Sequence, residues 1–221
     1  MAVHRRQREP HTKPRVLRER QVRDLKRGLI LDAARQVFED VGLDGASLRA
    51  IAARAGYTPA ALYFHFESKE AIYAAVLEES LARLAAAVHD ALARAPAGAD
   101  WPSRRLHDAA LAFFHFYERS PRDLDLGFYL FRGGMKPRGL GARRNRLLNA
   151  ALAAALRPIA AAAEALGASR AEANVLMADT FGHAVGLLLL AHTGRIRMFG
   201  VEARALMERY VETAIAALGT S

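Results

Sequence analysis

The 221-residue chain has no cysteine, which excludes disulfides and thiolate metal sites and fits a reducing, cytoplasmic setting. No stretch alternates apolar and polar residues for long enough to make a strand, and there is neither an internal repeat nor a heptad array. A glycine-rich phosphate loop, a nucleophile elbow and a two-histidine metal signature are all missing, so no cofactor and no catalytic activity are expected. Long uninterrupted apolar runs are also lacking. The best candidate for a membrane span, Ala173 to Ala191, contains Asn174, Asp179, Thr180 and His183, and reads as a buried helix, with no membrane partner. The basic N-terminus has no apolar run behind it and is not a signal-peptide pattern. Hydrophobic residues make up 52% of the chain, enough to bury one large core or two small ones.

Positive charge is concentrated at one end. Residues 1 to 27 hold ten basic side chains against three acidic ones, a net +7 out of the chain's +9. Such a cluster attracts a phosphate backbone because each neutralised phosphate releases counterions, although alone it could equally be a solvated tail. Residues 1 to 20, with Pro10 and Pro14, read as a flexible basic arm. From Val22 to Val41 the positions Leu25, Leu29, Ala33, Val37 and Val41, flanked by Ile30, Ala34 and Phe38, predict an amphipathic helix closed by Gly42.

Two short helices follow. Ser47 is an N-cap, and Leu48, Ile51, Ala52 and Ala55 repeat at the helical period. Gly56 suits the turn, and Thr58-Pro59 supplies a cap and a first-position proline for a second helix. Leu62 and Phe66 form its inner face, which turns Ala60, Ala61, Tyr63, Phe64 and His65 outward, the spacing of a helix-turn-helix. Ser68 then caps a long helix ending near the break at Pro96-Ala97-Gly98. Eight of the 17 aromatics fall between Trp101 and Phe131, on two helices separated at Ser120-Pro121. An alanine-rich helix from about Ala142 to Leu166, kinked or divided at Pro158, precedes two more, Ala171 to about Thr193 and Val201 to Leu218.

Residues 28 to 77 resemble the DNA-binding domain of the tetracycline-repressor (TetR) family of bacterial transcription regulators. The resemblance rests on the AA-x-x-x-F helix, G-x-x-x-x-S-L-x-x-I-A, G-Y-T and L-Y-x-H-F-x-x-K-x-x-I, in order. Phe181 to Arg197 is similar to one C-terminal subclass. The resemblance implies an all-α fold: a three-helix DNA-binding domain over residues 21–67, followed by a helical ligand-binding and dimerisation domain over 68–221. It further implies a homodimeric repressor of a pseudo-palindromic double-stranded DNA operator, released by a small, largely apolar effector. A constitutive or architectural DNA-binding protein without an effector is the alternative.

By the same resemblance, Tyr63, His65 and Lys69 lie where the family contacts phosphates or groove edges. Groove chemistry adds the rest. Thr58 offers its hydroxyl and a helix N-terminus to a phosphate, Arg49 suits a guanine O6/N7 pair, and Pro59, Ala60 and Ala61 suit thymine methyls, with Phe64 beside them. This recognition helix is poor in hydrogen-bonding side chains, so the arm is expected to add affinity through the minor groove. Trp101, Phe113, Phe114, Tyr117, Phe128, Tyr129, Phe131, Met177, Phe181 and His183 could line an effector pocket, although aromatics at helical spacing also simply fill cores. Asp179 and His183 at i, i+4 suit an internal hydrogen bond better than a metal. Ala178, Gly182 and Gly186 form a small-residue face that admits a second helix, here the partner's by resemblance.

Deleting residues 1 to 20 is expected to weaken DNA binding and flatten its salt dependence, measured by fluorescence anisotropy between about 50 and 200 mM salt. An unchanged slope would remove the arm from the interface.

Overall fold

The computed structural model describes residues 12–94, 100–128 and 140–219. Among the described residues the regular structure is helical, with no strand. The chain divides into two compact units, Met1–Tyr73 and Ala74–Ser221, a later boundary than the expected 67/68 and one that falls inside a helix.

The first unit begins with α1, Thr12–Gly45. Residues 12–20 were expected in a flexible arm, and here they form the first turns of α1 instead; residues 1–11 lie outside the described residues. Helix formers dominate this stretch, and Pro14 falls in the first turn, where backbone N–H groups have no intrahelical acceptor. At Gly42 (φ 68°, ψ 177°) the helical path is interrupted, at the residue where the sequence places the helix end. Of the positions expected on the apolar face of α1, Ala33 and Val37 are buried with the flanking Ile30, Ala34 and Phe38, and Leu31 joins them, whereas Leu25, Leu29 and Val41 are exposed.

Helices α2 (Leu48–Ala55) and α3 (Pro59–Tyr63) follow. Ser47 Oγ accepts the Ala50 N–H at 3.1 Å, and Gly56, at φ 73°, ends α2 in the left-handed conformation, so the Tyr57 N–H closes back on the Ala52 carbonyl at 2.9 Å. Ile51, Ala52, Leu62 and Phe66 are buried, as their periodicity predicts. Helix α4, Lys69–Arg94, is capped by Ser68, whose Oγ accepts the Ala71 N–H at 3.1 Å. Its Tyr73 meets Phe38 edge to face at 5.4 Å.

The second unit contains the rest of α4, α5 (Trp101–Arg119), α6 (Pro121–Phe128), α7 (Gly141–Ala165), α8 (Arg170–His192), a 3-10 turn (Arg195–Phe199) and α9 (Ala203–Leu218). Helix α7 packs on α5 and α8. It continues through Pro158, which has no N–H for the Ala154 carbonyl, while Leu156, Ile159, Ala160, Ala162 and Ala163 are buried around the defect. Alanine on this face lets the neighbouring helices approach closely. Helix α9 buries Ala203, Met207 and Val211 at i, i+4, i+8.

By length and composition α7 and α8 could each cross a membrane. The expectation that α8 is a buried helix needs correction: Val175, Ala178, Gly182, Gly186 and Leu189 are exposed, together with the polar Asn174 and Asp179.

Leu62 has no solvent exposure and anchors α3 to the first unit. Leu62→Ala is expected to remove about 2–5 kcal/mol from that unit, read by hydrogen exchange of the α2 and α3 amides. A loss below about 1 kcal/mol would show that α3 is held by other means.

Candidate nucleic-acid interface and aromatic interior

A five-residue helix cannot hold itself together in water, so α3 depends on its two ends and its inner face. At the start, Thr58 Oγ1 accepts the Ala61 N–H at 3.2 Å and Pro59 occupies the first turn. At the end, the His65 and Phe66 N–H groups both bond the Leu62 carbonyl at 2.9 Å. Phe66 is buried beneath the Arg27 guanidinium, 4.5 Å from the ring centroid. Arg54 ties α2 to α1 by donating to Asp40 at 2.9 Å and Gln36 at 3.3 Å.

With these anchors made, the outer surface carries the expected residues. Phe64 is 90% exposed and Tyr63 59%, while Thr58, Pro59 and Ala60 are exposed and Ala61 and His65 half-buried. Arg49 is exposed in the first turn of α2, with no ion-pair partner among the described residues. Lys69 is placed differently from a free phosphate ligand. Its Nζ donates to the carbonyls of Ala46 at 3.2 Å and Asp44 at 3.4 Å, and so fastens the start of α4 to the connection between α1 and α2. Sequence reasoning missed this use of Lys69 and the part played by Arg27 and Arg54. The signal available for Arg54 was weak, a basic residue in the last turn of α2.

In the second unit the candidate pocket residues separate into groups. Phe113, Tyr117 and Phe181 come together, with ring centroids 5.1 Å apart for Phe113–Tyr117 and 5.8 Å for Phe113–Phe181. Phe113 and Phe114 are fully buried, and burial, with Asp123 adding to it, pushes the Tyr117 phenol well above its ordinary value. Met177 is half-buried one turn before Phe181 on α8. His183 lies apart from them, stacked on Tyr210 of α9 at 4.2 Å and 16°. Desolvation lowers its pKa, Arg209 adds to that, the Leu206 backbone opposes it, and its Nε2 has no hydrogen-bond partner among the described residues. Trp101 is 40% exposed and covered by the Arg105 guanidinium at 4.5 Å. Tyr129, Phe131 and the Phe128 side chain lie outside the described residues. Among the described residues, no group of three or more His, Asp or Glu could hold a metal.

Thr58→Ala removes the cap of α3 and is expected to cost about 1 kcal/mol, seen as faster amide exchange at Ala60–Tyr63, whereas Thr58→Ser keeps the protection. Equal exchange in both variants would show that the hydroxyl does not hold the helix.

A family model described as "Bacterial regulatory proteins, tetR family" matches residues 30–76, which run from α1 into the start of α4. The HTH-type transcriptional activator FasR of Mycolicibacterium smegmatis is 39% identical over 106 residues, covering 48% of this chain and 47% of that protein. The chain spans about half, or less, of the length of the curated relatives it matches. Among solved structures, a TetR family transcription regulator from Marinobacter aquaeolei VT8 superposes with a TM-score of 0.63 at 20% identity, over 90% of this chain and 97% of that one. The transcriptional regulator FadR from Bacillus subtilis, in complex with stearoyl-CoA, does so with a TM-score of 0.63 at 15% identity, over 85% and 96%. These likenesses extend the fold beyond the helix-turn-helix to the helical second unit. Capped and anchored as described, residues 30–76 are similar to the tetR family of bacterial regulatory proteins.

Proposed function

We propose that the protein is a transcription repressor that binds a pseudo-palindromic operator as a homodimer and is released by a small, largely apolar effector. The observation that carries this reading is the α2–α3 surface. Arg49 on α2, the cap Thr58, and Pro59, Ala60, Tyr63 and Phe64 on and after α3 are exposed, while Leu62 and Phe66 are buried. In a major groove, Arg49 would read a guanine edge, the small residues and Phe64 would meet thymine methyls, and Tyr63 and His65 would set register on phosphates. Lys69 can contribute its positive charge to that surface while it remains bonded to the Ala46 carbonyl.

Two-fold assembly is supported by the open face of α8. A Cβ built on Gly182 or Gly186 meets nothing within 4 Å, so a partner helix could approach the backbone closely there. Exposed Val175 and Leu189 extend that face at either end, and a symmetric pair would set two recognition helices about 34–36 Å apart, or a multiple of that. The aromatic interior around Phe113, Tyr117 and Phe181 supports an apolar effector, which acts by binding one arrangement of the dimer more tightly than the other. The likeness to Bacillus subtilis FadR is one of fold, and it makes stearoyl-CoA the first effector to try.

Selection from a random DNA pool is expected to enrich a two-fold sequence, and loss of enrichment in Arg49→Ala and Phe64→Ala would assign the reading surface. Gly182→Leu meets open space within one chain, so it is expected to shift sedimentation from dimer to monomer and weaken operator binding without loss of helix content. Enrichment of no sequence would overturn the reading as an operator-binding repressor, and a monomeric wild-type protein at micromolar concentration would overturn the dimer.

A further inference from the structure

Helix α5 has two opposite faces. One buries Leu106, Ala109, Ala110, Phe113, Phe114 and Tyr117. The other carries Arg104, Asp108, Ala112, His115 and Arg119, at i, i+4, i+8, i+11 and i+15, and looks toward the last turns of α4. Between them runs an open groove in two adjoining stretches of about 370 and 470 Å3, which share Ala91, Arg94, Ala112 and His115. That is room for a small organic molecule.

Arg94, Arg104 and Arg119 have no ion-pair partner among the described residues, and all three line one groove, whereas Arg157, outside it, donates to Glu164 at 3.2 Å. Two carboxylates line it as well. Asp90 stands one turn before Arg94 without forming an ion pair with it, and Asp108 is engaged by His107 Nδ1 at 3.2 Å. His115 is engaged by Glu118 at 2.9 Å. Three guanidiniums thus face two carboxylates, one of which is already occupied. The floor between them is apolar, made by Ala87, Ala91, Ala112 and Phe116.

We propose that this groove binds a small organic anion, a phosphate or carboxylate carried on an apolar body. Arg94 and Arg104, which line the same stretch, grip the acid group through their planar forks, and the body lies along the alanines toward Phe116. The site is on the face of α5 turned away from Phe113 and adjoins the aromatic interior where Phe116 meets Tyr117 edge to face at 5.0 Å, and it does not depend on the protein's being a repressor.

The test is calorimetric titration of the full chain with phenyl phosphate at fixed chloride concentration. Saturable binding of one ligand per chain is expected, weakened at least about tenfold by Arg94→Ala or Arg104→Ala, less by Arg104→Lys, and unchanged by Arg157→Ala. Inorganic phosphate is expected to bind more weakly than phenyl phosphate. These arginines are exposed, and unchanged helical circular dichroism in each variant separates loss of the site from loss of the fold. Absence of saturable binding, or binding that survives both alanine variants, would overturn the proposal; the latter would indicate an adventitious anion on the basic N-terminal segment. Phosphate binding as tightly as phenyl phosphate would overturn the organic part of it. None of these readouts involves DNA, so failure here leaves the operator reading untouched.

Discussion

Everything exposed on the candidate DNA surface depends on the inward hold on α3. The helix spans five residues, too few for its own hydrogen bonds to offset the cost of nucleation. Its existence follows from the Thr58 cap, the burial of Leu62 and Phe66, and the Leu62 carbonyl that collects two N–H groups as the helix ends. Leu62 and Phe66 are buried in a unit whose core also holds Ile51, Ala52 and the α1 residues Ile30, Ala34 and Val37, so the position of Tyr63 and Phe64 follows from the burial of their neighbours. Polar contacts refine that placement. Arg54 fixes α2 against α1, and the Lys69 ammonium donates to the carbonyls of Asp44 and Ala46 near the end of α1.

The second unit is built on a different balance. Its helices meet through alanine and aromatic side chains, with small residues on α7 making room for the rings of α5. Polar groups at its edges include the Arg83–Asp123 pair and the Ser169–Glu172 capping box, in which hydrogen bonding to Ser169 holds the Glu172 carboxyl below its usual range. Helix α8 departs from this economy, since it is apolar in composition yet much of its surface is left uncovered within one chain.

Much of this was legible in the sequence because local chemistry specified it. The caps at Ser47, Thr58 and Ser68, the turn at Gly56 and the break at Ser120-Pro121 are each written in one or two residues, and each stands where the pattern puts it. The extent of the buried face of α1 was not legible in that way. Ala33 and Val37 of one apolar stripe and Ile30, Ala34 and Phe38 of the adjacent one are buried, while Leu25, Leu29 and Val41 are exposed, and only the tertiary partner decides where the cover ends. The start of α1 was misplaced because two prolines suggested a loop, while Pro14 occupies the one turn of a helix where a missing N–H has no consequence. Aromatic density near residues 101–131 did not distinguish Phe113, fully buried, from Trp101, which lies against Arg105 at the surface. His183 was separated from the other rings because helix α8 presents it to α9.

Gly42 has a consequence of another kind. Its backbone, at φ 68° and ψ 177°, occupies a region that is essentially closed to residues with a side chain, and the Ala46 N–H returns to its carbonyl at 3.1 Å. The break redirects the chain just before the two carbonyls that Lys69 binds. Most positions in this unit can drift in evolution by exchanging one apolar volume for another of similar size. Position 42 has no such neighbourhood of near-equivalents, so a lineage that loses this glycine must also redraw the connection from α1 to α2 and find a new task for the lysine.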